Sequence, residues 1–361
     1  MIGKSWSSIQ HGIQIGCAVV SFTLNSLLIF LILRHSPKTL GAYKYLMIYI
    51  SVFELFYSLM DIIVKPVFHS YGSTFLVMVN VKESVFKTRT CLILGSIYCG
   101  CFGCSMAIFG IHFIYRYLVA SGSKLLKSFN DWRIVTWFLV PLVYGSIWGC
   151  MAYGPVGQKA ATGEHIRTNI LETFDLRIED TVYMGPYFYQ KQPNGSSRID
   201  IESITGMSVV FVIVCSSFFT IIYFGVKCYV LISKLAPSKR CFRSKALQSQ
   251  LFWALVTQTM IPVILMHTPI TLVYGSALLD KDIGMLSGFL SMTIAAYPAI
   301  DPLPSILIIP CYRKALIYYL KCCGRFEKKD DETSAGMNRN SSAVLSQSVI
   351  PAPPTELSTA F

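Results

Sequence analysis

Long uncharged runs constrain the fold of this sequence more than any other feature. A membrane-spanning α-helix needs about 20 consecutive apolar residues. Two long apolar segments contain a few charges, 45–68 and 283–310, and five more contain none: 5–33, 90–115, 134–158, 203–226 and 246–279. With 53% hydrophobic and 14% charged residues, the chain is also more apolar than a soluble domain requires. The sequence therefore predicts an all-α membrane protein, a bundle of seven transmembrane helices.

The charged residues are distributed unevenly between the two sides of the predicted bundle. A formal net charge of +12 could indicate a nucleic-acid partner. However, loops one, three and five and the C-terminal tail together hold 20 of the 31 Lys and Arg residues. Because positively charged loops stay in the cytosol, this asymmetry predicts an N-terminus outside and a cytosolic C-terminus. The basic charge is thus explained by topology, and no nucleic-acid partner is expected.

The sequence predicts one membrane domain followed by one disordered tail. Residues 1–323 form the predicted membrane domain, the seven-helix bundle with a short amphipathic helix on the membrane surface at its end, and the polar residues 324–361 form a disordered cytosolic tail. Cys322 and Cys323 at the membrane edge are palmitoylation candidates, although unmodified thiols are an equal alternative. Asn194 begins a glycosylation sequon in the predicted outer loop four.

Charged residues inside the predicted helices are candidates for function because burying charge in a membrane is costly. Glu54, Asp61 and Lys65 share one stripe of helix two, where the spacing allows an ion pair between Asp61 and Lys65. Asp301 lies in helix seven at a depth similar to that of Glu54. If these two helices are neighbours, the two carboxyl groups share a proton or a cation. The alternative is that each carboxyl group bonds separately to a backbone or hydroxyl partner.

Prolines interrupt the predicted helices six and seven. Pro262 and Pro302 each remove a backbone hydrogen bond and can produce a kink. Such kinks can serve as hinges, although membrane helices also tolerate proline without a functional role. Together with Glu54 and Asp301, these prolines form a predicted intramembrane switch.

Aromatic and polar side chains cluster in the outer halves of several predicted helices. Tyr98 and Phe102 lie one turn apart on helix three, and His267 and Tyr274 lie in the outer half of helix six. With Asp61 and Lys65 at the outer end of helix two, they form a predicted ligand pocket. A largely aromatic pocket suits a small and partly apolar molecule, although ordinary packing also explains each aromatic residue taken singly.

Neither an enzyme nor a metal or cofactor protein is expected. The six histidines show no paired ligand spacing, and neither a phosphate-binding glycine loop nor a nucleophile elbow occurs. Cys99, Cys101 and Cys104 superficially resemble a metal motif. Within a helix, however, Cys99 points away from the other two, so small residues at a helix contact explain the cluster better.

Inner loop five is strongly basic. It contains six Lys and Arg residues and no acid, among them Arg240, Arg243 and Lys245. Membrane lipid headgroups are the default partner for such a loop, and an acidic surface of a cytosolic protein is the alternative.

Four blocks of sequence resemble one family of receptors. They are GAYKYLMIYISVFELFYSL at 41–59, IHFIYRY at 111–117, LQSQLFWALVTQTMIPVILMHTPI at 247–270 and YPAIDPLPSILIIPCYRKAL at 297–316. In this order they resemble the nematode seven-transmembrane chemoreceptors of serpentine receptor class r, the Str family. The resemblance implies a G-protein-coupled olfactory receptor in the plasma membrane of a sensory cilium. A small-molecule odorant and a heterotrimeric G protein are its implied partners.

A more distant resemblance concerns the end of helix three. Tyr115-Arg116-Tyr117 resembles the Asp-Arg-Tyr motif of rhodopsin-like receptors, which implies a role in G-protein coupling together with Arg240, Arg243 and Lys245. Tyr115 replaces the acid of that motif, so the sequence leaves open which group holds Arg116 at rest. A small-molecule transporter or a ligand-gated ion channel is the rival function, because the buried acids could also line an ion path.

Overall fold

Helices account for most of the chain in the computed structural model, which describes residues 2–192, 195–234, 239–281 and 283–321. The long apolar runs of the sequence each form helix, because a helix satisfies its own backbone hydrogen bonds. The helices are α1 Ile2–His35, α2 Tyr43–Val64, α3 Thr88–Ser121, α4 Ile134–Tyr153, α5 Ala160–Phe174, α6 Ile201–Lys234, α7 Lys239–Pro262, α8 Thr268–Leu278, α9 Phe289–Ile300 and α10 Pro302–Ile308.

Within the described ranges, six helical segments are long and apolar enough to cross a membrane. The count rises to seven if the bent pair Leu286–Ile308 and Pro310–Lys321 forms one span. The sixth span, Ala246–Leu278, joins α7 to α8 through a π-helical turn at Val263–His267. The predicted seventh helix runs through α9 and α10 and is interrupted at Ile309, which adopts an extended conformation with φ −80° and ψ 114°. The structure thus agrees with a mainly helical membrane protein and places its irregularities in the last two predicted helices.

Helix α3 lies at the centre of the bundle and packs against α2, α4 and α6. Its contact with α4 is very close, since a Cβ atom added to Gly100 would lie 2.6 Å from the Gly145 carbonyl oxygen. The thiol of Cys104 donates to the Pro141 carbonyl oxygen across the same contact, at 3.2 Å. The small residues of α3 therefore serve helix packing, as close approach of membrane helices requires.

The all-α expectation was wrong in one respect, because one end of the bundle carries a β-sheet. The strands β1 Val67–Tyr71, β2 Thr74–Asn80 and β3 Thr181–Met184 form an antiparallel sheet in the order β1-β2-β3. A hairpin of β4 Tyr189–Lys191 and β5 Ser197–Ile199 follows. The first six residues of β2 are buried, which explains why its apolar run does not alternate as a half-exposed strand would.

Helix α5, which packs against the sheet, belongs to the segment that the sequence predicted only as outer loop four. Helix α5 places Ile166 and Ile170 against Leu76 and Met78 of β2, forming a small core of its own. The sheet also contacts the N-terminal part of α3, where Gly95 lies against the Met184 side chain. We call the end of the bundle that carries the sheet the sheet end. We call the opposite end, where α3 ends, the Arg116 end.

The chain divides into two units, Met1–Arg313 and Lys314–Phe361. The second is helical through Lys321. The proposed palmitoylation sites Cys322 and Cys323 and the proposed tail 324–361 lie outside the described residues, as does the proposed glycosylation site Asn194.

Candidate functional site

A cavity of about 350 Å³ lies at the sheet end of the bundle. Side chains of α3, α4, α6 and α8 form its walls, and the three-stranded sheet closes one side. The residues that line it carry no Asp, Glu, Lys or Arg side chain. Its volume falls within the range of about 300–1,000 Å³ that is common for small-molecule sites, and its surface is mainly apolar.

Four of the six predicted pocket residues line this cavity: Tyr98, Phe102, His267 and Tyr274. They converge because α3 and α8 face each other across it. The sheet residues Phe68 and Phe75 also line it. Sequence reasoning missed these two, since nothing in the sequence indicated that the segment after helix two folds back over the bundle.

His267 contributes a buried polar group to the cavity wall. Its side chain is 5% exposed, and its ring meets the rings of Phe102 and Phe218 edge-on, each at 5.7 Å between centroids. Its Nε2 atom has no hydrogen-bond partner among the described residues. His267 ends the π-helical turn, a distortion of the α-helix that is frequent at functional sites.

Asp61 and Lys65 do not line this cavity. Asp61 lies behind its wall, where its carboxylate accepts a hydrogen bond from the Tyr98 hydroxyl at 3.0 Å. Lys65 lines a separate polar cavity of about 370 Å³. The ion pair that their spacing allows does not form, because α2 ends at Val64 and Lys65 adopts a left-handed conformation with φ 49°. Its backbone N–H still bonds to the Asp61 carbonyl oxygen at 3.0 Å, but the left-handed conformation turns its side chain away from the direction that a helix would give it.

The two buried carboxyl groups of the predicted switch are brought together. Glu54 is 1% exposed and Asp301 is fully buried, and the two carboxyl groups are close enough to interact electrostatically. Gln258 Nε2 of α7 donates to Asp301 Oδ2 at 2.5 Å, and the Ser305 hydroxyl donates to the side-chain oxygen Oε1 of Gln258 at 3.3 Å. The shared proton or cation and the separate partners both stay predictions, and Asp301 has one separate partner in the Gln258 amide.

The two predicted hinge prolines lie within longer helical segments, Ala246–Leu278 and Leu286–Ile308. Pro262 is the last residue of α7, directly before the π-helical turn, and Pro302 is the first residue of α10. Pro302 directly follows Asp301, whose backbone is helical and whose N–H bonds to the Tyr297 carbonyl oxygen at 3.0 Å, so the helix continues past the buried carboxyl pair and ends only at the extended residue Ile309.

Arg116 is buried at the opposite end of α3, with 2% of its surface exposed. Its guanidinium carbon lies 3.5 Å from the centroid of the Tyr43 ring, and its Nη1 donates to Gln248 of α7 at 3.1 Å. The Nε and Nη2 atoms have no partner among the described residues. The partners of Arg116 are thus an aromatic ring and a neutral amide, and not an acidic side chain. We call Arg116, Tyr43 and Gln248 the arginine contact.

The other predicted coupling residues differ in what the structure shows. Tyr115 is buried and stacks on Tyr43 at 5.5 Å, whereas the half-buried Tyr117 packs against Phe224 at 5.3 Å. Arg240, Arg243 and Lys245 lie within the helical α7, and their side chains are outside the described part of the chain.

Tyr43, Gln248 and Gln258 were not recognised from the sequence. For the two glutamines a signal was available, because both are amides inside the uncharged run 246–279. Polar side chains in a membrane helix normally face the interior of the bundle and find partners there.

Outside the membrane spans, the sheet end is held by polar contacts. Lys159 bonds to Asp200 at 2.6 Å and so ties α5 to the start of α6. His165 of α5 stacks on Tyr187 at 4.3 Å. Burial lowers the pKa of the His165 imidazole, and the positive charge of Lys191 lowers it further.

Comparison with known proteins shows similarity along the whole bundle. The profile of the serpentine-type 7TM GPCR chemoreceptor Str family matches residues 10–317. "G-protein coupled receptor str-217" of Caenorhabditis elegans is 36% identical over 305 residues, covering 84% of this chain and 87% of that protein. "Serpentine receptor class r-10" of the same organism is 30% identical over 336 residues, covering 92% and 97%. The protein of that name from Caenorhabditis briggsae is 29% identical over 346 residues, covering 95% and 99%.

Proposed function

The chain belongs to the Str family of serpentine seven-transmembrane G-protein-coupled chemoreceptors, and from this we propose that it binds a small, mainly apolar molecule in the cavity at its sheet end. Binding activates a heterotrimeric G protein at the Arg116 end. The observation that carries the proposal is the cavity itself, which is large enough for a small molecule and has no charged side chain in its wall.

The proposed topology places the sheet end outside the cell and the Arg116 end in the cytosol. The excess of basic residues in loops one, three and five supports this orientation. Tyr98 in the cavity wall and Arg116 are 18 residues apart on α3, or about 27 Å at 1.5 Å per residue. Signal transfer therefore requires a conformational change that connects the two ends.

The continuous helix from α7 to α8 is the element that we propose to move. It contributes His267 to the cavity wall, Gln258 to the carboxyl pair and Gln248 to the arginine contact. One helix thus contributes to three sites along the bundle. The π-helical turn lies between Gln258 at the carboxyl pair and α8 at the cavity. A ligand that fits the cavity better in the displaced arrangement shifts the population toward it.

The resting arrangement is held in part by the arginine contact. A buried guanidinium whose Nε and Nη2 nitrogens have no hydrogen-bond partner among the described residues is incompletely satisfied, which is costly in a dry interior. A G protein that presents carbonyl or carboxylate oxygens at this end would satisfy these donors once α7 has moved away. We propose that the basic residues Arg240, Arg243 and Lys245 contribute to the same surface.

Calcium responses to a panel of odorants in a heterologous cell test this function. The Val214→Trp variant places an indole in the cavity wall and is expected to weaken responses to active odorants at least tenfold. Val226→Trp on the same helix is the matched control, because Val226 is 58% exposed and does not line the cavity. Equal responses from both variants would exclude this cavity as the ligand site. A ligand-evoked current in a membrane without G proteins would instead favour the ion-channel function.

A further inference from the structure

The cavity is closed on the side of the sheet. The strand residues that line it, among them Phe68, Phe75 and Met184, are at most 7% exposed. Water at the sheet end therefore has no open path between these side chains. The exposed part of the lining must lie elsewhere on the molecule.

Two exposed residues mark an opening on the flank of the bundle. Phe211 of α6 lines the cavity although 61% of its surface is exposed, and Thr271 of α8 lines it and is exposed as well. Gly275, one turn beyond Thr271, also lines the cavity, and a Cβ atom added there would meet nothing within 4 Å. Helices α6 and α8 make little contact with each other, whereas α6 packs extensively on α3. We call the gap rimmed by Phe211, Thr271 and Gly275 the flank opening.

The flank opening lies within the predicted hydrocarbon layer and not at a helix end. Phe211 is ten residues from the start of α6, or about 15 Å along its axis, and Thr271 is seven residues from the end of α8, or about 10 Å. Both belong to segments that qualify as membrane spans. Their neighbours Val212 and Leu272 are 64% and 66% exposed, as expected for side chains that face lipid.

We propose that the ligand enters the cavity sideways from the bilayer, through the flank opening between α6 and α8. This rests on the proposed function insofar as the cavity is the ligand site of the receptor. The ligand class follows from the route, because only an uncharged molecule that dissolves in lipid reaches this opening. A charged molecule would lose its hydration without meeting a countercharge in the wall.

Cys99 provides a native reporter of the route. It lines the cavity, is 7% exposed and carries a free thiol. Two methanethiosulfonates with the same reactive group serve as probes, the uncharged methyl reagent and the anionic 2-sulfonatoethyl reagent. In both reactions the cysteine sulfur displaces methanesulfinate from the reagent and forms a new disulfide, and the thiol proton goes to solvent. The full-length receptor in lipid nanodiscs is exposed to either reagent, digested, and analysed at Cys99 by mass spectrometry.

The uncharged reagent is expected to modify Cys99 at least tenfold faster than the anionic reagent. Once the protein is denatured in detergent, both reagents should react, which shows that the thiol is competent. Comparable rates in the folded receptor would show entry from water and would overturn the proposal.

Variants of the flank opening distinguish this route from any other path through lipid. Phe211→Ala widens the opening and should speed modification by the uncharged reagent several-fold, whereas Gly275→Phe should slow it at least fivefold. The matched controls are Phe219→Ala, on the same helix and 69% exposed, and Gly16→Phe on α1, where a side chain also meets nothing. If Phe211→Ala and Gly275→Phe are labelled at the same rates as their controls, the ligand does not enter through the flank opening. A misfolded variant is recognised because the anionic reagent would then reach Cys99.

These labelling experiments require no signalling. If labelling follows the flank opening but no odorant evokes a G-protein response, the proposed function fails and the opening stands. If odorants act through the cavity but labelling ignores the flank variants, only the route fails.

Discussion

Replacing Gln248 by leucine tests whether the arginine contact holds the receptor at rest. The substitution removes the side-chain hydrogen bond that Arg116 makes to α7 and leaves a buried guanidinium against the Tyr43 ring alone. A hydrogen bond to a charged group contributes about 1.5–3 kcal/mol. Since about 1.4 kcal/mol corresponds to a factor of ten, the equilibrium should shift toward the active arrangement by about 10-fold to 140-fold.

The shift is measurable as ligand-independent signalling. If the active arrangement has a resting population of about 0.1–1%, a tenfold shift raises it to about 1–10%. Basal G-protein activation, measured by resonance energy transfer and divided by surface expression, should rise correspondingly. The Gln248→Glu variant offers Arg116 a carboxylate and should lower basal signalling instead.

Gln250→Leu is the matched control, because Gln250 lies two residues further along α7 and therefore on a different face. Basal signalling from Gln248→Leu that equals that of Gln250→Leu at equal surface expression would refute the reasoning. The arginine contact would then be a packing feature without influence on the equilibrium.

Three further predictions concern packing, acid sensitivity and the cavity wall. Gly100→Val should abolish surface expression, because its side chain would collide with the α4 backbone, whereas Gly16→Val should be expressed normally. Because the folded pKa of His165 lies below its unfolded value of about 6.5, its contribution to stability is complete above that pH and is lost as the pH falls through the folded pKa. Hydrogen-exchange protection factors at the sheet end, which correct for the intrinsic pH dependence of amide exchange, should therefore fall between pH 7.5 and 5.5. His165→Phe keeps the ring stack on Tyr187 and should remove this pH dependence. His267→Leu removes a buried nitrogen without a partner, whose burial costs about 1–3 kcal/mol, so the purified receptor should melt at a higher temperature; an unchanged or lower Tm would show that this nitrogen is satisfied.

The membrane helices were predictable because hydrocarbon imposes a simple rule on the sequence. Uncharged runs such as 90–115 and 203–226 are long enough to span, and α3 and α6 contain them. The convergence of Tyr98 and Phe102 with His267 on one cavity was also accessible, since helical spacing and depth alone place them in the same layer.

The sheet was not predictable in this way. The segment 67–80 is apolar, and a short apolar run does not reveal whether it forms helix or strand. Its pairing with Thr181–Met184 joins residues about a hundred positions apart, and no local pattern specifies such a contact. The sheet that closes one side of the cavity and the flank opening therefore became apparent only from the structure.

The arginine contact illustrates a second limit. Arg116 stood out as a charge at the end of a membrane helix, but its partners are an aromatic ring and a neutral amide. Complementary charge would have been recognisable from the sequence, whereas a Tyr or Gln residue has many alternative roles. Likewise, Lys65 does not pair with Asp61 because α2 ends at Val64, one residue before Lys65. The exact end of a helix is poorly specified by local sequence.

The central claim is that a small molecule acts through this chain on a G protein. Its most direct test is an odorant screen by calcium imaging in two matched cell lines that express the receptor, one complete and one lacking every Gα subunit. The account predicts that active odorants evoke responses in the first line and none in the second. Responses of equal size in the cells without Gα subunits would contradict it.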